Sequence, residues 1–180
     1  MSGFASEYEP PPFYNFRPFF TIQPVQATRE KQLKLWRDLV VSYHVYHKSF
    51  RMVDPPNWPL FTNESLGRKL TPNGIKLVID SLIEEGTAEW EDEDNPVNLL
   101  VMSKSSATLA HELYEWAGKE NLVGYIVTIY EIHAGDDYVD SPFVGMDPVI
   151  LRKALEVLEA GGKAVVIQGE KPEDDGIKFI

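Results

Sequence analysis

Twelve residues from Thr71 to Leu82 (TPNGIKLVIDSL) lie without a gap over Asp147 to Leu158 (DPVILRKALEVL), at an offset of 76 positions. Cap, proline, apolar, basic, acidic and leucine positions coincide, and the match runs on through Gly86 and Ala88 against Gly162 and Ala164. An internal repeat of this length forces a fold made of two similar units, because each copy must bury the same apolar stripe.

Each copy carries complete start and stop signals for a helix. Thr71 or Asp147 is placed to cap the N-terminus, and Pro72 or Pro148 occupies the first turn, where its missing N–H costs nothing. Apolar residues fall at i, i+4 and i+7 (Ile75, Ile79, Leu82; Leu151, Leu155, Leu158), one buried face. Gly86 and the pair Gly161-Gly162 close the helices. A hairpin is predicted after each. Ala88-Glu89-Trp90 runs through an acidic turn into Val97–Met102, and Ala164–Ile167 runs through Gly169–Gly176 into Ile177–Ile180.

Upstream, each copy opens with a long amphipathic helix. The first is predicted over about Thr28–Ser49, with Leu33, Trp36, Val40 and Tyr43 on one face. The second covers about Ser106–Asn121, with Leu109, Leu113 and Trp116. A short third helix is expected between them and the capped helices, over Leu60–Leu66 and Ile126–Ile132. Aligning Thr62 with Thr128 leaves ten extra residues in the second copy, in an acidic loop spanning Gly135–Met146. Three helices and a two-stranded wing, twice, is a tandem winged-helix pattern in an α+β chain. Its expected divisions are an arm over 1–27, a first winged helix over 28–103 and a second over 104–180.

Charge bears on what such units bind. Residues 1–103 hold 10 Lys/Arg against 14 Asp/Glu, and residues 104–180 hold 7 against 14. The expected recognition helices offer Lys76, or Arg152 and Lys153, beside wings rich in carboxylates (Glu89, Glu91–Asp94; Glu170, Glu173–Asp175). Such wings repel a phosphate backbone. A winged-helix DNA-binding transcription regulator is therefore the alternative, and a protein-binding role is the primary reading.

The arm is the other informative segment. Residues 10–24 read PPPFYNFRPFFTIQP, with five aromatics between Phe13 and Phe20. Solvated tails avoid aromatics, so these rings are expected to be buried against something. Two fates are open: packing on the chain's own first unit, or insertion into a partner's grooves. Pro11-Pro12-Phe13-Tyr14 is a full P-P-x-Y, and Arg17-Pro18-Phe19-Phe20 is a degenerate second copy six residues later.

Signals for chemistry are missing. The chain has no cysteine, and His44, His47, His111 and His133 lack a carboxylate spaced to complete a metal site. The Glu91–Asp94 run lacks the spacing of a calcium loop, and Gly161-Gly162-Lys163 ends a helix where a phosphate loop follows a strand. No enzymatic activity, cofactor or metal is expected. No apolar run reaches membrane-spanning length and no secretory h-region is visible at the N-terminus, so a cytoplasmic protein is expected.

The arm PPFYNFRPFFTIQP, the following TREKQLKLW, the segment SLGRKL and the terminal GIKFI together resemble the vacuolar protein sorting-associated protein 25 family, subunits of the endosomal complex ESCRT-II. The resemblance implies a non-catalytic adaptor, present twice in its complex and peripheral on the endosomal membrane, acting in multivesicular-body sorting of ubiquitinated cargo. It further implies that the arm docks into subunits 22 and 36 through Pro11, Pro12, Phe13 and Tyr14, with Pro18, Phe19 and Phe20 as the weaker motif. The C-terminal winged helix would recruit an ESCRT-III subunit (number 20, charged multivesicular body protein 6). The acidity of the second half suits a basic partner helix, and Asp136, Asp137 and Asp140 are the candidate contacts.

Overall fold

The computed structural model describes residues 7–180, which form two compact units that divide between Ser103 and Lys104. Both are mixed α+β and run through their elements in parallel order.

In the first unit α1 (Gln26–His47) leads into β1 (Arg51–Val53). The connection that follows holds 3-10 turns at Pro55–Asn57, Pro59–Phe61 and Glu64–Leu66, with the small strands β2 (Thr62–Asn63) and β3 (Arg68–Lys69). Then come α2 (Pro72–Glu84), β4 (Ala88–Trp90) and β5 (Asn98–Val101). In the second unit the order is α3 (Ser106–Lys119), β6 (Ile126–Thr128), α4 (Ile129–Ala134), α5 (Pro148–Ala160), β7 (Ala164–Ile167) and β8 (Gly176–Phe179).

The repeat is realised in register. Both α2 and α5 are 13 residues long and begin 76 positions apart. Thr71 Oγ1 accepts from Gly74 N–H, and Asp147 Oδ1 accepts from Val149 N–H. Both ends close as Schellman motifs: Thr87 and Lys163 N–H bond back to the carbonyls of Leu82 and Leu158, while Gly86 (φ 78°) and Gly162 (φ 68°) supply the left-handed residue. Ile75, Ile79 and Leu82 are buried, as are Leu151, Leu155 and Leu158.

Three expectations are corrected. The segment Leu60–Leu66 is two 3-10 turns around a strand, not a helix, because Thr62 and Asn63 are drawn into antiparallel pairing with Lys69 and Arg68. In the second unit Ile126–Thr128 is extended, and the helix begins only at Ile129 behind a capping box formed by Thr128 and Glu131. Each two-stranded wing gains a third strand, giving orders β1-β5-β4 and β6-β8-β7. The added strands pair Met52 with Leu99 and Val127 with Ile177, all buried. At three residues each, they are too short to show a period.

Trp36, Leu39, Val40, Phe61, Val78, Leu82 and Leu99 fill the first core, and Leu113, Ile129, Phe143, Leu151, Ala154, Leu155 and Phe179 the second. On α1 the stripe read from sequence is half right. Trp36 and Val40 are fully buried, Leu33 and Tyr43 lie at the margin, and Gln32, Leu39 and His44 complete the inner face.

Candidate partner interface

Two regions meet the sequence expectations for binding: the arm in the first unit and the acidic loop in the second.

The arm is not a continuously extended segment. Pro12 opens a 3-10 turn over Pro12–Asn15, and Pro18 is the second residue of another over Arg17–Phe20, because the ring fixes φ in the helical range and no N–H is required there. Tyr14 N–H bonds to Pro11 O at 2.9 Å and closes the first turn. The six-residue spacing of the two motifs makes Tyr14 and Phe20 equivalent. Both rings point inward and meet edge to face at 5.4 Å.

The arm then adheres to α1 through rings and amides. Phe19 stacks on Trp36 at 4.2 Å and 13°, and Trp36 Nε1–H donates to Phe19 O at 3.2 Å. The Gln32 amide nitrogen lies 3.0 Å from Phe19 O, 2.9 Å from Thr21 O and 3.3 Å from Pro18 O, while Oε1 accepts from Gln23 N–H at 3.0 Å. Tyr14 Oη donates to Thr62 O at 2.8 Å, and Asn63 Nδ2 donates to Tyr14 O at 3.0 Å. Burial pushes the Tyr14 hydroxyl up to about 12. Further out, Tyr8 donates or accepts at Ser42 Oγ (2.7 Å) and packs edge-on against Tyr43 and Tyr46.

This placement divides the predicted arm contacts. Tyr14, Phe19 and Phe20 are 7%, 4% and 3% exposed and pack into the first unit's own core. Burying each contributes about 1.5–3 kcal/mol to the fold, which outweighs holding it out in water. Pro11 and Phe13 are half-buried, and Pro12 and Pro18 are exposed. Phe16, absent from the predicted contacts, is 63% exposed. With Phe13 and Pro18 it borders an apolar cleft of about 300 Å³ whose far wall is Thr28, Lys31 and Leu35 of α1. The arm thus has an anchored face and a free one.

In the second unit, Asp136 and Asp137 fall in a 3-10 turn, Asp136–Tyr138, and with Asp140 they are exposed, as expected of partner contacts. Tyr138 fixes this loop by meeting Trp116 edge-on at 5.3 Å, beside the buried Phe143. Asp137, Asp140 and Glu120 border a cleft of about 250 Å³ with Trp116 and Tyr138. The Tyr138 hydroxyl is held above its ordinary range, first by partial burial and then by the carboxylates of Glu131, Asp137 and Glu120. The cleft therefore carries a negative potential over an aromatic floor, an arrangement that attracts a cationic side chain.

Gln32 and Asn63 are buried polar residues that the sequence pattern does not mark, and Asp175, read from the sequence as one of the wing carboxylates that repel a phosphate backbone, is buried as well. Asp175 is fully buried; it accepts from Gly169 N–H at 2.8 Å and lies 3.0 Å from Arg152 Nη1, tying the second wing to α5. His44 is buried with Nδ1 2.8 Å from Val40 O, a core histidine as its isolation implied. Among the described residues no group of three or more His, Cys, Asp and Glu is placed to hold a metal ion, and no helix is long and apolar enough to cross a membrane.

Comparison with known proteins places this architecture. The family model described as ESCRT-II complex subunit matches residues 13–147. The vacuolar protein sorting-associated protein 25 of Xenopus laevis is 36% identical over 96% of this chain and 99% of its own. Those of Dictyostelium discoideum (35%, over 94% and 95%) and Arabidopsis thaliana (32%, over 97% of each) are similarly close. Among solved structures, subunit VPS25 of the endosomal trafficking complex ESCRT-II superposes with a TM-score of 0.77 at 23% identity, covering 95% of this chain and 98% of that one. A chain of the endosomal ESCRT-II complex VPS22/VPS25/VPS36 gives 0.74 at 24%, over 94% and 98%. On the strength of a family match across most of its length and of relatives matched almost end to end, the chain belongs to the ESCRT-II complex subunit family, in its vacuolar protein sorting-associated protein 25 branch.

Proposed function

We propose that this chain is a non-catalytic adaptor of an ESCRT-II complex, built from two winged-helix domains and working on the cytoplasmic surface of endosomes. The helix–strand–helix–helix–strand–strand order of the second unit supports the winged-helix reading. So does the same strand order in both three-stranded sheets. In this reading the first unit docks to counterparts of VPS22 and VPS36, the subunits that the related complex contains. Two copies serve each complex, and the second unit recruits an ESCRT-III subunit of the number 20 type, charged multivesicular body protein 6.

The observation that carries the docking half is the two-sided arm. Its inner rings are anchored on α1, which presents Pro12, Phe16, Arg17 and Pro18 outward on a backbone already ordered, so binding costs less conformational entropy. Co-expression with the two partner subunits tests it. Phe16→Ala/Arg17→Ala, two exposed side chains outside the core, is expected to lose co-purification at nearly unchanged thermal stability. Retention of both partners would overturn the assignment to this face. For the recruiting half, the Trp116–Tyr138 cleft with its carboxylates supports a basic helix as ligand. Charge reversal of Asp136, Asp137 and Asp140 is expected to weaken that partner at least tenfold, and unchanged affinity would remove the loop from the interface.

DNA binding gains nothing from the geometry. Lys76 pairs with Asp80 and Arg152 with the buried Asp175, which engages two of the three cations on the helices expected to read a groove.

A further inference from the structure

P-P-x-Y segments are ligands for small aromatic-grooved domains of the WW type, which read them as polyproline II: two prolines in an extended left-handed helix and a tyrosine ring on an open face. Pro11-Pro12-Phe13-Tyr14 satisfies the sequence requirement completely. It fails the geometric one. Pro11 itself is in the polyproline II range (φ −56°, ψ 156°), but the chain turns at Pro12 into a 3-10 helix, and Tyr14 N–H bonds back to Pro11 O at 2.9 Å. Polyproline II has no such bond. The turn drives the Tyr14 ring inward to 7% exposure, and its hydroxyl, the group a reader would bind, is committed to Thr62 O at 2.8 Å. Asn63 Nδ2 holds the Tyr14 carbonyl from the other side.

We propose that residues 11–14 are a latent ligand for WW-type domains, unreadable while the arm lies on α1 and readable once it detaches. Part of what keeps it closed comes from side chains outside the motif: Phe19 on Trp36, Phe20 against Tyr14, and the Gln32 amide on the carbonyls of Phe19 and Thr21. The motif can therefore be exposed without altering it. This partner class is distinct from the ESCRT-II subunits, and the test contains none of them, so its outcome is independent of the docking proposal.

The probe is an isolated WW domain of P-P-x-Y specificity, titrated against a synthetic peptide of residues 7–18, the full chain, and the full chain carrying Phe19→Ala/Phe20→Ala. Apparent affinity scales with the open fraction, so the full chain is expected to bind at least about tenfold more weakly than the peptide. The double variant is expected to recover most of that loss, and adding Tyr14→Ala to it to abolish binding. Whether the variant frees the arm alone or unfolds the unit, the motif is exposed and binding must appear. Gln32→Ala, which loosens the arm through polar contacts only, should fall between. A full chain as tight as the peptide, a peptide that does not bind, or a double variant that stays silent would each overturn the proposal.

Discussion

Replacing Gln32 by Glu changes no volume and one chemical property: the amide nitrogen, a double donor, becomes an acceptor. In the structure that nitrogen faces three carbonyls of the arm, Phe19, Thr21 and Pro18, at 3.0, 2.9 and 3.3 Å, in a site only 7% exposed. Two N–H groups serve them, so two hydrogen bonds are lost, while the bond from Gln23 N–H to Oε1 survives on the carboxylate. At about 1 kcal/mol per bond, with carbonyls left unpaired and a carboxylate set against them, the cost is about 2–4 kcal/mol. For a unit of about 100 residues that lowers its Tm by roughly 10–30 °C. The two units are separate compact bodies, so the loss must be confined to the first. Urea unfolding followed by tryptophan fluorescence, with hydrogen exchange resolved by segment, reads it. Amides of residues 16–23 should exchange faster while those of α3 and α5 keep their protection. A Gln32→Glu protein within about 0.5 kcal/mol of the wild type would refute the assignment of Gln32 as the clamp of the arm.

Other consequences follow from the same packing. His44 is held below its ordinary range, first by burial and then by the nearby His47, against the opposing effect of its bond to Val40 O. It is neutral in the folded unit, so its contribution is present above the unfolded histidine value and drains away as pH falls below it. First-unit stability measured from pH 7.5 to 5 should decline, and less so in His44→Gln. Tyr14 has the opposite sense: raised to about 12, it stabilises below the ordinary tyrosine value of 10.0 and ceases to as pH climbs from there. The tyrosine that lags furthest in an ultraviolet titration should vanish from it in Tyr14→Phe. Asp175→Ala leaves Gly169 N–H and the Arg152 guanidinium without their carboxylate, at a cost of about 2–4 kcal/mol confined to the second unit; calorimetry showing the first unit's transition lowered instead would contradict it.

What was legible in the sequence had local causes. The ends of α2 and α5 follow from Thr71, Asp147, Pro72, Pro148, Gly86 and Gly162, whose effects reach only one turn along the chain. The apolar stripes of α2, α3 and α5 could be read for the same reason. The exposure of Asp136, Asp137 and Asp140 was equally open to reading, since charged residues without partners stay in water.

The parts that escaped depend on pairings distant in sequence. Strand β1 exists because β5 lies beside it, and Leu60–Leu66 yields to strand pairing between Thr62 and Lys69. Composition called for burial of the arm's aromatics, which the structure meets for Tyr14, Phe19 and Phe20 and not for Phe16, and it did not name the surface, since a Pro-aromatic segment fits its own body and a partner's groove by the same forces. That choice was made by Trp36, Gln32, Thr62 and Asn63, up to 49 positions away, which offer Phe19 a stacking face and Tyr14 a matched acceptor and donor. The sequence by itself determined two like units and an arm that must hide its rings. Only the tertiary structure decided which side of the arm is hidden, because complementarity between surfaces arises when chain-distant groups are brought within a few ångströms.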